Sequence, residues 1–281
     1  MRLRMIDFDH NRGRIAGVKV ALHIVKARRE RLADMIKQDN YLPVQELCKR
    51  LGISEATARR DLSALEKEKR IKRTYGGAIS EFDSRYPSFA ERRGQSSRAK
   101  RKIAAAALAY IEPERTYFFD AGTTIFAIAE AFRERPVIPV KIVTSNIPAG
   151  ELLAAIPGVE VFLLAGQLLP HQSVLTGETA RKSLEFWKFD VAFLSAEGMN
   201  ASGVWNSQAE IVEQQKTVVH RAKRTVFCLD ESKLGQNAPH FLLAWNKIDL
   251  LLTEIPHPRL AQAGIRIKAT QYAPARERIK R

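Results

Sequence analysis

Apolar residues recur along the chain with two different periods. Between Arg28 and Asp39 they fall at Leu32, Met35 and Ile36, one face of a helix that ends at the turn-prone Asp39-Asn40. Pro43 suits the opening of a second helix over 44–51, with Val44, Leu47 and Leu51 spaced i, i+3, i+7. Gly52 can take a positive φ and close it, leaving Ile53 as a buried turn residue. Ser54 is a good N-cap for a third helix running to about Lys67, with Glu55 in its first turn and Ala58, Leu62 and Leu65 facing inward. Residues 71–75 alternate as a strand does, and Gly76-Gly77 makes a tight turn. Residues 1–27 carry no clear period and read as an N-terminal extension.

Residues 81–100 are polar and turn-rich and read as a linker. From Arg101 the character changes. Apolar runs over 116–120, 141–144, 159–164, 191–195, 225–229 and 250–253 have the look of buried strands. Amphipathic stretches over 103–110, 125–132, 149–155, 179–186 and 210–221 lie among them. Such alternation predicts a mostly parallel sheet with helices on both faces, spanning 101–260. Residues 261–281 are left as a C-terminal segment with a basic tail.

At 281 residues the chain suits two modest domains, on a prior of roughly 150 residues per domain. With 45% hydrophobic and 27% charged residues its composition is that of a globular protein. Lys+Arg number 46 against 31 Asp+Glu, a net of +15. The first 100 residues hold 24 of the cationic and 13 of the anionic side chains, so +11 of that surplus sits in the first third. A basic module joined to a nearly balanced one suggests a nucleic-acid reader attached to a second function. No apolar run reaches the roughly 18 residues of a membrane span. Charges occupy the N-terminus where a signal peptide needs its apolar stretch, so a cytoplasmic protein is expected. Cys48 and Cys228 lie far apart in apolar settings and are expected to be buried thiols.

Two short helices separated by a Gly-Ile-Ser turn form the pattern of a helix-turn-helix. Leu47, Leu51, Ile53, Ala58 and Leu62 would fix the angle between them. Thr57, Arg59, Arg60 and Ser63 would then face outward beside Glu55. Arginine can bond guanine O6 and N7 together or clamp a phosphate, and Ser or Thr can reach either target. Arg73 and Tyr75 in the following strand are placed to touch the DNA backbone as a wing does. The competing reading is a three-helix bundle whose arginines merely face solvent. The wing segment favours DNA.

In the second module, Asp120-Ala121-Gly122-Thr123-Thr124 follows a strand and opens a helix. A glycine allows close backbone approach, two hydroxyls can donate, and a helix N-terminus favours an anion. Two further strand ends carry Ser145-Asn146 and Ser232-Lys233, and ligands of open α/β sheets gather at such carboxyl ends. Together they suit a phosphorylated polyol, against the plainer alternative of simple caps and a solvated lysine. An isomerase would need a carboxylate base; Asp120, Glu197 and Glu213 qualify by type, but no constellation singles one out, and no catalytic residue is assigned. The six histidines show no ligand spacing for zinc, so neither metal nor cofactor is expected. An architectural DNA binder without effector would leave the three loops unexplained.

The stretch from Arg28 to Ser80 resembles the winged helix-turn-helix of the DeoR family: Ser54, Thr57, Arg59-Arg60-Asp61-Leu62, Leu65-Glu66 and Arg73 through Ala78 match its signature. The resemblance implies that Ser54, Thr57, Arg59 and Arg60 contact operator DNA. Ala58 stands where the family usually has Ile, Glu68-Lys69-Arg70 replaces a Gly-containing turn, and Tyr75 replaces a common His. Residues 85 to about 255 resemble the family's effector domain through the DAGTT, TSN, Thr176-Gly177-Glu178, DVAFLSAEGMN and DESK segments. Here Ala165-Gly166-Gln167 replaces a usual Gly-Gly, and Glu114-Arg115 a Gly-Asp before the first strand. That domain is related in fold to ribose-5-phosphate isomerase. The resemblance implies a phosphorylated sugar or its derivative as ligand, with Asp120, Gly122, Thr123, Thr124, Ser145, Asn146 and Lys233 in or near the pocket. It further implies a repressor of carbohydrate-metabolism genes, acting on double-stranded operator DNA as a homo-oligomer, dimer or tetramer.

Overall fold

The computed structural model describes residues 22–39, 41–68, 70–73, 77–80 and 88–275. In the N-terminal region α1 (Leu22–Asp39) begins six residues before the expected Arg28. Ile24 in that stretch is half exposed, so it adds nothing to a periodic apolar face. Extending a helix already nucleated adds little entropic cost per residue. After β1 (Tyr41–Pro43) come α2 (Val44–Leu51) and α3 (Glu55–Lys67), then a hairpin of β2 (Ile71–Arg73) and β3 (Gly77–Ser80). Gly52 closes α2 at φ 62°, its N–H bonding to the carbonyl of Cys48, and Ser54 caps α3 by accepting from the N–H of Thr57. The three strands lie in the order β1-β3-β2, all antiparallel. Neither β1 nor β3 is visible in the sequence, because each is too short to alternate and exists only through its partner. Gly77 lets them approach: a Cβ there would sit 2.3 Å from the carbonyl oxygen of Leu42. Leu32, Ile36, Leu47, Leu62 and Leu65 form the small core.

Residues 88–100, read above as linker, instead form α4 (Phe89–Gly94) and the start of α5 (Ser97–Ala107). Ser88 and Glu91 make a capping box for α4, and Phe89 is buried edge-on against Phe126. One Phe among polar residues gives no periodic signal, and only the tertiary contact reveals the helix.

The chain then runs through β4 (Arg115–Phe119), α6 (Thr123–Glu134), β5 (Val140–Thr144), α7 (Ile147–Ala154) and β6 (Val159–Leu163). A hairpin of β7 (Gln167–Leu169) and β8 (Val174–Thr176) leads to α8 (Glu178–Leu184), β9 (Val191–Leu194), and the antiparallel β10 (Gly198–Asn200) and β11 (Gly203–Asn206). It ends with α9 (Ala209–Arg221), β12 (Thr225–Cys228), β13 (His240–Leu243), β14 (Leu250–Thr253), α10 (His257–Gln262) and β15 (Tyr272–Pro274). Seven strands form one parallel sheet in the order β15-β14-β12-β9-β4-β5-β6.

Alternate side chains of each central strand enter two different cores. Tyr117, Phe119, Phe193, Val226, Cys228, Leu250 and Leu252 face the core under α4–α7. Phe118, Ala192, Leu194, Phe227 and Leu251 face the one under α8–α10. Burial on both faces is why these strands read as unbroken apolar runs. β15 pairs with β14, so residues 261–275 complete the sheet instead of forming a separate segment; residues 276–281 lie outside the described ones. Cys228 is buried, and burial pushes its thiol pKa well up. Cys48 is only half-buried, contrary to expectation, and neither cysteine is in a disulfide.

Candidate effector cavity and DNA-facing helix

The strand order reverses direction at β4: β5 and β6 extend to one side, β9, β12, β14 and β15 to the other. A crevice opens beyond the carboxyl ends of the two strands flanking such a switch. The loops after β4 and β9 meet there. Asp120, 2% exposed, accepts hydrogen bonds from the Ser195 N–H (3.0 Å) and the Gln215 amide (2.7 Å). Burial raises its pKa, and these donors counteract the shift. Gly122 packs so closely on the β9 loop that a Cβ would lie 1.9 Å from the Ser195 hydroxyl. Thr123 and Thr124 then open α6, presenting the helix N-terminus to the crevice.

A cavity of about 320 Å³ lies here. Of the residues expected in it, Asp120, Gly122, Thr123, Thr124 and Lys233 line it. Lys233 closes the 3₁₀ turn that follows β12, which Asp230 caps by accepting from the N–H of Ser232. Ser145 and Asn146 do not line it. Both are fully buried behind the loop. Asn146 caps α7 by accepting from Ala149, and its amide donates to the Ala121 carbonyl at 2.9 Å. The TSN segment thus shapes the Asp120 loop from behind.

Several lining residues escaped the sequence reading. Arg92 of α4 donates to the Gln172 side chain, and Lys100 of α5, 5% exposed, donates to the Arg92 carbonyl at 2.5 Å. Burial lowers the Lys100 pKa to about 8. Glu197, Asn206 and Gln215 form the opposite wall, where the Asn206 amide donates to Gln215 (2.6 Å) and Gln215 also donates to the Ser195 carbonyl (2.8 Å). The only signal for Arg92 and Lys100 was charge on the apolar-flanked side of a helix that had been read as linker. With three cationic side chains, a helix N-terminus and threonine hydroxyls together with the acceptors of the Glu197 wall, the cavity suits an anion carrying polar substituents.

In the N-terminal domain the outer face of α3 carries the expected residues. Ser54 and Thr57 hydroxyls lie 2.9 Å apart at the exposed start of the helix. Arg59 is paired with Glu55 one turn back, whereas exposed Arg60 has no ion pair among the described residues. Arg73 of β2 donates to the Ser63 hydroxyl at 2.7 Å, tying the wing strand to α3. Tyr75 lies outside the described residues. Asp61 is buried and pairs with Arg28 (2.6 Å) and Arg29 (3.0 Å), clamping α3 to α1.

The family model for a DeoR-like helix-turn-helix domain matches residues 28–82, and that for the DeoR C terminal sensor domain matches 95–254. The chain belongs to the DeoR family. The HTH-type transcriptional repressor GlcR of Bacillus subtilis is 30% identical over 79% of this chain and 86% of its own length. A putative aga operon transcriptional repressor of Escherichia coli O157:H7 is 28% identical over 85% of this chain and 90% of its own. Among solved structures, a D-ribose-5-phosphate isomerase in complex with phospho-erythronic acid shares 17% identity over 49% of this chain and 53% of its own, with a TM-score of 0.36. Among the described residues of this DeoR-family chain, no helix is long and apolar enough to cross a membrane. Nor does any group of three or more His, Cys, Asp or Glu among them gather to hold a metal ion.

Proposed function

We propose that this chain is a cytoplasmic transcriptional repressor of carbohydrate-metabolism genes. In this reading it binds operator DNA as a homo-oligomer and is relieved by a phosphorylated sugar bound in the cavity. The observation that carries the reading is the joining of an exposed Arg60 face on α3 to an anion-suited cavity at a sheet switch point. The names of the relatives above, both transcriptional repressors, support the same assignment. Ser54, Thr57, Arg59, Arg60 and Ser63 set α3 in the major groove, and Arg73 and Tyr75 steady it on the backbone. The phosphate sits at the N-terminus of α6 with Lys233, while Asp120, Gly122, Thr123 and Thr124 shape that corner and Ser145 and Asn146 support it. The sugar changes operator affinity only as far as it binds the DNA-competent and DNA-incompetent arrangements unequally. Asp120 is engaged by three donors, the Ser195 and Ala121 N–H groups and the Gln215 amide, which favours a binding role over proton abstraction.

The test is fluorescence anisotropy of the full chain on DNA from upstream of its own gene, against a shuffled duplex, at two salt concentrations, with and without sugar phosphates. A preference of roughly 10³-fold or more, diminished by one sugar phosphate, is expected. Equal and steeply salt-dependent binding to both duplexes would reduce the interaction to counterion release and overturn the operator assignment.

A further inference from the structure

Glu197 lies between β9 and β10 and lines the cavity on the side facing Arg92. Its backbone N–H donates to the carbonyl of Trp205 (3.0 Å) and to the side-chain oxygen of Asn206 (2.9 Å). One carboxylate oxygen, Oε2, accepts from the N–H of Ser207 at 3.0 Å. The carboxylate is therefore held at its root and at one oxygen. The other oxygen, Oε1, accepts no hydrogen bond and makes no ion pair among the described residues, although the Arg92 guanidinium lies near enough to feel its charge. Its neighbours in the wall, the Asn206 and Gln215 amides, are committed to each other and to Asp120. A carboxylate oxygen in a cavity binds best to a ligand that brings it a donor, and penalises one that removes its water and offers nothing.

We propose that Glu197 determines effector specificity: its free oxygen accepts a hydrogen bond from a hydroxyl or amino substituent of a phosphate ester, so esters without such a donor are rejected. The inference rests on the reading that the cavity holds a phosphorylated ligand. Glu197→Gln separates the two donor types. The Ser207 N–H would hold the amide oxygen, turning the amide NH₂ toward the cavity. A hydroxyl, which both donates and accepts, can adapt by accepting, whereas an ammonium group can only donate and is left facing another donor.

Titration calorimetry of the full chain provides the test. The probes are inorganic phosphate, butyl phosphate, glycerol 3-phosphate, ribose 5-phosphate, glucose 6-phosphate and glucosamine 6-phosphate, on wild type, Glu197→Gln and Glu197→Ala. Each ester is read as its affinity relative to inorganic phosphate, so that any uniform effect of the lost charge cancels. In wild type the best hydroxyl- or amine-bearing ester should exceed butyl phosphate by roughly tenfold to a hundredfold. Glu197→Ala should reduce that margin to about twofold, and Glu197→Gln should weaken glucosamine 6-phosphate several-fold more than the hydroxyl esters. A margin retained in Glu197→Ala, with thermal unfolding showing a folded protein, would overturn the role of Glu197 and leave the cavity assignment standing. Failure of wild type to bind inorganic phosphate or any ester would overturn the cavity assignment and this inference with it.

Discussion

Replacing Asp61 tests how the DNA-facing helix is held. Its carboxylate is 2% exposed and accepts from the Nε atoms of Arg28 and Arg29, at 2.6 and 3.0 Å. Each charge-assisted hydrogen bond contributes about 1.5–3 kcal/mol, and breaking a fully buried pair costs about 3–5 kcal/mol. The arginines are 19% and 28% exposed, so after Asp61→Ala they can turn partly into water. That places the expected loss near 2–4 kcal/mol, less than the sum of two bonds. Asp61→Asn keeps acceptor geometry on one side and should lose about half as much. The domain core is small, so such a loss is a large share of its stability. Trp187, Trp205 and Trp245 all lie in the sensor domain, so tryptophan fluorescence reports chiefly on that domain. Hydrogen exchange of α1–α3 amides in the full chain is the suitable assay. A loss of about 3 kcal/mol should speed their exchange by about 10²-fold while sheet amides of the sensor domain hold their protection. A change below threefold would refute the clamp and make Asp61 a neutral neighbour of two surface arginines.

Arg60→Ala should weaken operator binding by about 1–3 kcal/mol and relax base preference if Arg60 reads a base edge, which anisotropy on single-base operator variants would check. Lys233→Ala should abolish release by sugar phosphates with operator affinity intact; an unaltered release curve would reduce Lys233 to a surface lysine. Glu114 holds φ 62°, where the related family usually has Gly, and its exposed side chain gives up little, so Glu114→Gly should stabilise the chain by about 0.5–1 kcal/mol in chemical denaturation. Lys100 titrates near 8 when folded and near 10.5 when unfolded. Its burial penalty is complete below pH 8; from there to about pH 10.5 the unfolded chain holds more protons than the folded one, so stability rises with pH. Relative to Lys100→Met, wild type should therefore gain about 2 kcal/mol between pH 8 and 10, and a constant difference would show that Lys100 is not depressed.

The DNA-binding half was largely legible because its determinants are local. A helical period, the Ser54 cap and Gly52 at a helix end are set within a few residues, and α2 and α3 fall where those signals place them. All six sheet strands that were expected form; burial on both faces writes an apolar run into the central ones, and the edge strand β6 keeps its apolar run although Phe162 and Leu163 are exposed. What sequence spacing does not carry is which loop meets which. The Asp120 loop could be read as an anion corner, but its partner, the Ser195–Glu197 loop 75 residues later, is set by β9 pairing with β4. The same cause moved Ser145 and Asn146 behind the corner and brought Arg92 and Lys100 out of a supposed linker into the cavity wall. Strands β1, β3 and β15 exist only through neighbours. Local sequence fixes elements and candidate chemistry through short-range periodicity and capping; strand order, a balance of long-range burial, decides which of those groups share one cavity.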